Sequence, residues 1–165
     1  MNQALEQREF PPIDRERLIE RLGTILPAAS LLHAAEDLRP YECDGLSAYR
    51  KLPLVVTLPD SVAQVQAILR LCHELEVPVV ARGAGTGLSG GALPLDNGIL
   101  LSLARFNQIL DIDTENRTAP VQPGLRNPAI SEAASTHGLY YAPDPSSQIA
   151  CSIGGNVAEN AGGVH

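Results

Sequence analysis

Tryptophan is absent from this 165-residue chain, phenylalanine occurs twice and tyrosine four times. A core without large rings has to be built from Leu, Ile, Val and Ala. Hydrophobic residues make up 44% of the chain, enough for such a core and too many for a disordered segment. Lysine is nearly absent: Lys51 is the only one, and 12 Lys and Arg stand against 19 Asp and Glu, a formal charge of −7. A nucleic-acid partner needs clustered basic residues, so the acidic balance argues against one. Cysteines number three, Cys43, Cys72 and Cys151, odd in count and widely spaced. They suggest reduced thiols in a cytoplasmic protein rather than a disulfide frame, and no pair has metal-ligand spacing. No apolar run approaches the roughly 20 residues of a membrane span. Met1 to Phe10 is polar and lacks a signal-peptide apolar region. The length suits one domain, or one and a fraction.

The apolar spacing of Leu18, Ile19, Leu22, Ile25 and Leu26 predicts a helix over 14–26, stopped by Pro27. Residues 28–50 read as irregular, with Glu42 and Asp44 as solvated turn residues. The boundaries expected are an N-terminal helical extension over 1–45 and a main domain over 46–165. Within the latter, 54–57 reads as a strand and 60–76 as a helix capped by Asp60 or Ser61. Val62, Val65, Ile68, Leu69, Cys72 and Leu75 are its expected buried face, with His73 outside. Strands are expected at 77–81 and 99–103, and a hairpin over 109–122. Asn127-Pro128 should open a helix capped by Asn127 and ended by Gly138. A strand at 139–142, a rigid turn at 143–147 and a short helix within 153–161 complete the pattern.

What the chain does have is glycine in the right place. Residues 82–91 read Arg-Gly-Ala-Gly-Thr-Gly-Leu-Ser-Gly-Gly, five glycines in ten positions. Such a run brings backbone N–H groups close to a ligand and forms a concave nest for phosphate oxygens. Arg82 is expected to hold positive charge at the entrance, and no Asp or Glu lies between Glu76 and Asp96. A flexible glycine-rich loop is the plainer reading. The P-loop is excluded because its lysine is missing. The dinucleotide fingerprint G-x-G-x-x-G is matched by Gly85 to Gly90, with Asp111 about 20 residues on. That fingerprint must open a helix, however, and Pro94 and Asn97-Gly98 leave no room for one. The remaining option is a loop that grips a pyrophosphate through its backbone alone.

A second segment, Ser152-Ile-Gly-Gly-Asn156-Val-Ala-Glu-Asn160-Ala-Gly-Gly163, is again rich in small residues and Asn, with Glu159 its one acid. Two such segments imply an extended ligand with several polar groups. For Gly154, Gly155, Gly162 and Gly163, close packing through small residues stands as an equal alternative.

The run 82–91, the turn Pro143-Asp-Pro-Ser-Ser147 and the segment 152–163 together resemble the FAD-binding domain of the vanillyl-alcohol oxidase and p-cresol methylhydroxylase type. Tyr41 to Arg50 extends the likeness toward flavin-dependent 2-hydroxy-acid oxidases, so that it covers nearly all of 38–165. The resemblance implies an α+β, α/β-like fold: an N-terminal β-α-β lobe and part of a second lobe. It implies that Arg82, Gly83, Ala84, Gly85, Thr86, Gly87, Leu88, Ser89 and Gly90 wrap the FAD pyrophosphate. Pro143, Asp144, Ser147, Ser152, Gly154, Gly155, Asn156, Asn160, Gly162 and Gly163 would lie along the cofactor, and Pro123 and Gly124 near the flavin ring. Thr86 stands where some relatives carry a histidine that attaches FAD covalently, so noncovalent FAD is expected.

The family's chains are much longer, so a cap domain bearing the catalytic residues is expected beyond His165, and no catalytic residue is assigned here. His33, His137 and His165 are given no catalytic role. The implied activity is oxidation of a 2-hydroxy acid, glycolate first and D-lactate next, to the 2-oxo acid with hydride transfer to FAD. The implied partners are a second flavin subunit and an iron–sulfur subunit, in the cytoplasm or peripheral at the inner membrane through those subunits. The alternative is a truncated, non-catalytic FAD or nucleotide-binding module.

Overall fold

The computed structural model describes residues 12–165; the first eleven residues of the expected N-terminal extension lie outside the described residues. Four strands form one sheet: β1 (Leu31–Leu32), β2 (Val55–Thr57), β3 (Val79–Arg82) and β4 (Ile99–Ser102). Their order is β1-β2-β4-β3, with β1 antiparallel to β2 and the other neighbours parallel. The β-α-β unit read from the sequence is present. Helix α3 (Val62–Glu74) carries the chain from β2 to β3, and β4 fills the slot between them.

Strand β4 reads Ile-Leu-Leu-Ser and is buried along its whole length, as a central strand covered on both faces must be. Alternation sorts the side chains. Val55, Ile99 and Val79 stand in register and face the larger cluster with Leu18 and Leu22 of α1 (Arg15–Gly23) and Ile68 and Cys72 of α3. Val56, Leu100 and Val80 face the other side, against Leu38 and Tyr41. Each fully buried aliphatic side chain contributes about 1.5–3 kcal/mol.

The helix ends follow capping chemistry. The Asp14 carboxylate accepts from Arg17 N at 3.1 Å, and the Ser61 hydroxyl accepts from Gln64 N at 3.4 Å. Glu76, at φ 54°, turns the chain out of α3 without a glycine. Leu71 takes a buried place on α3, whereas Val62 and Leu69 are exposed. The expected apolar face was thus drawn too wide at both. Residues 28–50 are less irregular than expected, containing two 3-10 turns, β1 and the short helix α2 (Ala35–Leu38). Asp44 is buried rather than solvated, and Glu42 pairs with Arg50 at 2.6 Å.

Beyond β4 the chain doubles back. The expected hairpin exists as two isolated antiparallel bridges, Ile109 with Val121 and Asp113 with Thr118. Helix α4 (Asn127–Ser135) begins and ends where read, and Gly138 at φ 69° closes it. Its cap differs from the reading. Arg126 holds the cap position, and the Asn127 side chain instead donates to the Pro143 carbonyl (2.8 Å) and accepts from the Asn156 amide (3.1 Å). No strand forms at 139–142. The Ser131 hydroxyl takes both roles a neighbouring strand would, accepting from Tyr141 N (3.0 Å) and donating to Tyr141 O (3.3 Å). Helix α5 (Ile153–Ala158) ends the described elements.

Candidate functional site

Strands β3 and β4 run parallel, and their carboxyl ends open on one side of the molecule. Leu103 N, just past β4, donates to Arg82 O at 2.9 Å, which sets that edge. The glycine run leaves β3 here, at the end of a parallel sheet where α/β folds place ligands. A second wall faces it. Residues 123–126 are pinned to the start of α5: Gly154 N donates to Pro123 O (2.8 Å) and Ile153 N to Leu125 O (2.9 Å). Arg126 and Ser152 form a further antiparallel bridge.

Between the walls lies a cleft of about 530 Å³. It is lined by Arg82, Gly83, Ala84, Gly85, Thr86, Gly87, Leu88, Pro123, Ser147, Ser152, Gly154, Gly155 and Asn156 from the expected set. A second cleft of about 460 Å³ holds Gly124 and shares Gly83, Ala84 and Ser152 with the first. Ser89, Gly90, Pro143, Asp144, Asn160, Gly162 and Gly163 line neither. Both Asp144 oxygens are engaged by its own chain, one by Val164 N at 2.9 Å and the other by His165 Nδ1 at 3.0 Å. The Val164 bond is the main reason its pKa sits below the usual carboxylate value. Asp144 N also donates to Gly162 O at 3.0 Å. The small-residue segment therefore divides: Gly155 is open to the cleft, and Gly163 packs on Asp144. Gly154 does both, since a Cβ there would lie 2.7 Å from the Pro123 Cβ.

The electrostatics differ from the reading at Arg82. Its guanidinium does not stand at the entrance. It is buried beneath the loop and donates to Tyr41 O (3.1 Å) and Cys43 O (2.6 Å). Burial pushes its pKa below the usual arginine value, and the Asp44 charge opposes that. The loop amides carry the positive potential instead. Among the described residues, no protein acceptor takes the N–H groups of Gly83, Ala84, Gly85, Thr86 or Gly87. Gly85, at φ 71°, gives the nest its turn.

At the seam of the two clefts the Ser152 hydroxyl is buried, with no hydrogen-bond partner. A Cβ on Gly83 would fall on top of it. A nest of unpaired N–H groups beside an orphaned hydroxyl matches the donor set that a pyrophosphate requires. Glu159 was not singled out as a site residue, although it is the one acid of its segment. It lines the first cleft and faces Gly87 and Gly91, where added Cβ atoms would lie 3.2 and 3.1 Å from its carboxylate. Ala81, Gly91, Ala92, Leu103, Ala158 and Ala161 complete the lining. Small or apolar residues of this kind carry no chemical signal in a sequence. No group of His, Cys, Asp and Glu among the described residues could hold a metal ion. No helix among them is long and apolar enough to cross a membrane.

Fold and site together define an α+β domain with a nest of unpaired backbone amides, suited to an anionic ligand, where the parallel strands β3 and β4 end. The profile of the FAD binding domain family matches residues 53–165, and the chain belongs to that family. It is 64% identical over 156 residues to glycolate oxidase subunit GlcD of Escherichia coli (strain K12), covering 94% of this chain and 31% of that protein. It is 37% identical over 155 residues to a D-lactate dehydrogenase of Archaeoglobus fulgidus, covering 94% of this chain and 30% of the relative. The chain thus spans about a third of the length of these relatives. Among solved structures it resembles p-cresol methylhydroxylase with substrate bound, at TM-score 0.77 and 22% identity over 86% of this chain and 28% of that one. An alkyldihydroxyacetonephosphate synthase gives TM-score 0.79 at 21% identity, over 90% of this chain and 30% of the other. These two likenesses show that the chain shares the fold of those two proteins.

Proposed function

We propose that this chain is the cofactor-holding part of an FAD-dependent 2-hydroxy-acid dehydrogenase, with glycolate as the first substrate candidate and D-lactate the second. The observation that carries the reading is the buried, unpartnered Ser152 hydroxyl beside the unpaired amides of 83–87, at the junction of two clefts. In this reading the loop amides and Ser152 Oγ donate to pyrophosphate oxygens, and the two clefts take the two ends of a dinucleotide. Pro123 lines the first cleft and Gly124 the second, so this pair would stand near the flavin ring where the clefts meet. Thr86 offers no nucleophile of the histidine type, which favours noncovalent attachment. When bound, FAD supplies the hydride acceptor.

This chain's residues bind, orient and shield. In this reading the group that takes the substrate's hydroxyl proton belongs to the part of the relatives' length that this chain does not span. The name of the Escherichia coli relative, a subunit, supports assembly with other subunits; in this reading they are a second flavin subunit and an iron–sulfur subunit. The compartment that goes with such an assembly is the cytoplasm, or the inner-membrane surface through those subunits.

Purified intact protein should be yellow and should release flavin on acid or heat treatment. Glycolate should bleach the flavin band anaerobically faster than D-lactate does. Gly85→Val should lose the colour, because a side chain there meets both an unfavourable φ and the Arg82 guanidinium. A colourless intact protein that cannot be reconstituted with FAD would sink the reading.

A further inference from the structure

The family match begins at residue 53, yet the glycine loop is shaped by residues that precede it. Residues 41–46 pass beneath 82–87 on the side away from the cleft, and none of them lines it. Three contacts join the two segments. The Arg82 guanidinium spans the carbonyls of Tyr41 and Cys43, with its carbon 5.9 Å from the centre of the Tyr41 ring. The same guanidinium lies directly under Gly85, filling the space a Cβ would need. Gly45 comes so close from below that a Cβ on it would lie 2.7 Å from both the Thr86 and Gly87 carbonyl oxygens. Asp44 is 6% exposed, and its Oδ1 accepts from Leu46 N at 2.9 Å. Its Oδ2 is buried and lacks a hydrogen-bond partner, and its charge favours the cationic form of Arg82.

The geometry points to residues 41–46 as a clamp that holds the phosphate nest in its binding shape, with Arg82 and Gly45 as positioning residues. Two carbonyls and one planar guanidinium fix the end of β3 where Gly83 leaves it. The Gly45 backbone then closes against the Thr86 and Gly87 carbonyls and turns their peptide N–H groups toward the cleft. A lysine at 82 keeps the charge but cannot bridge both carbonyls in one plane. The consequence for FAD affinity rests on the cofactor reading above; the mechanical link does not.

The link is reciprocal, so FAD bound in the cleft must steady the clamp. The Leu46 amide donates to Asp44 and the Lys51 amide to Glu42 O at 2.8 Å, which makes both readable by hydrogen exchange. In intact protein, FAD should slow exchange at Leu46 and Lys51, although neither touches the cleft. Arg82→Lys and Gly45→Ala should each weaken FAD affinity by about tenfold or more, the scale of one charged hydrogen bond, and should abolish the slowing at Leu46 and Lys51. Exchange in β4 and the absorption spectrum of flavin that does bind should not change. Unchanged affinity in both variants, or slowing at Leu46 and Lys51 that survives Arg82→Lys, would overturn the clamp, as would exchange that rises equally in β4. If wild-type protein takes up no FAD but Arg82→Lys still speeds exchange at Leu46 and Lys51 selectively, the clamp stands and the cofactor reading fails.

Discussion

Ser152→Ala removes an oxygen that the folded protein buries and leaves without a partner. Leaving a hydroxyl unpaired in a site only 3% exposed costs about 1–3 kcal/mol. The ligand-free variant should therefore be about 1 kcal/mol more stable than wild type, a rise in Tm of about 2–4 °C for a domain of this size. The cofactor pulls the other way. A hydrogen bond from Ser152 Oγ to a charged phosphate oxygen has a net worth of about 1.5–3 kcal/mol, so Kd for FAD should rise about 10- to 150-fold. Thermal melts of deflavinated intact protein read the first effect and a fluorescence titration with FAD reads the second. At saturating FAD the order of melting temperatures should invert, with wild type then the higher. A variant that melts lower without ligand and binds FAD as tightly as wild type would refute both the orphan assignment and the phosphate contact.

Gly124→Ala should cost about 1–3 kcal/mol of stability, read from the denaturant midpoint. The new methyl group would press on the Leu103 carbonyl and lie 2.8 Å from that of Phe106, and both are backbone atoms that cannot swing aside. Cys72 offers a test on the alkaline side. Burial pushes its thiol from an ordinary 9.0 up to about 11, so above pH 9 the unfolded chain loses a proton that the folded chain keeps. Its contribution is whole below about pH 9 and is lost as pH climbs past 11, by at most about 3 kcal/mol. The alkaline fall in unfolding free energy should be smaller by that amount in Cys72→Ala. Alkylation of native protein near neutral pH should label the half-buried Cys43 and spare Cys72.

Where one segment's own pattern decides the outcome, the structure was legible in the sequence. The Ile-Leu-Leu run at 99–101 reads as a buried strand, and Asp60 or Ser61 followed by apolar residues at helical spacing reads as the start of a helix, with Ser61 the cap that forms. The glycine run announced a backbone nest, and Pro94 excluded the helix that a dinucleotide fingerprint needs. What stayed hidden depends on partners distant in the chain. Arg82 reads as an entrance charge until Tyr41 and Cys43, about forty residues earlier, are seen to receive it. Asp44 sits in a turn motif that normally faces water, yet the fold buries it close enough to Arg82 for its charge to act there. Asn127 has the right type and place for a helix cap, but Pro143 and Asn156 compete for its side chain and win. Leu139–Ala142 has strand composition, and the Ser131 hydroxyl satisfies it where a strand would have. The orphaned Ser152 hydroxyl could not be foreseen at all, because an unmade bond leaves no trace in composition or spacing.

The order of the sheet has a consequence for how the chain is made. Strand β4 lies between β2 and β3 but follows both in sequence. During synthesis, β2, α3 and β3 are complete while the slot between the strands is still empty. Two apolar strand edges then face a gap until residue 102 emerges. At ribosomal rates of about 5–20 residues per second, that interval from residue 82 lasts about one to four seconds. The segment that must pass in this time is the glycine loop, which has little tendency to form structure of its own. The nascent chain is therefore most open to pairing with a foreign strand while its glycine loop is emerging. Slow synonymous codons placed downstream, where they are read while 83–98 emerges, would be expected to lower the yield of soluble protein without altering a single contact in the finished fold.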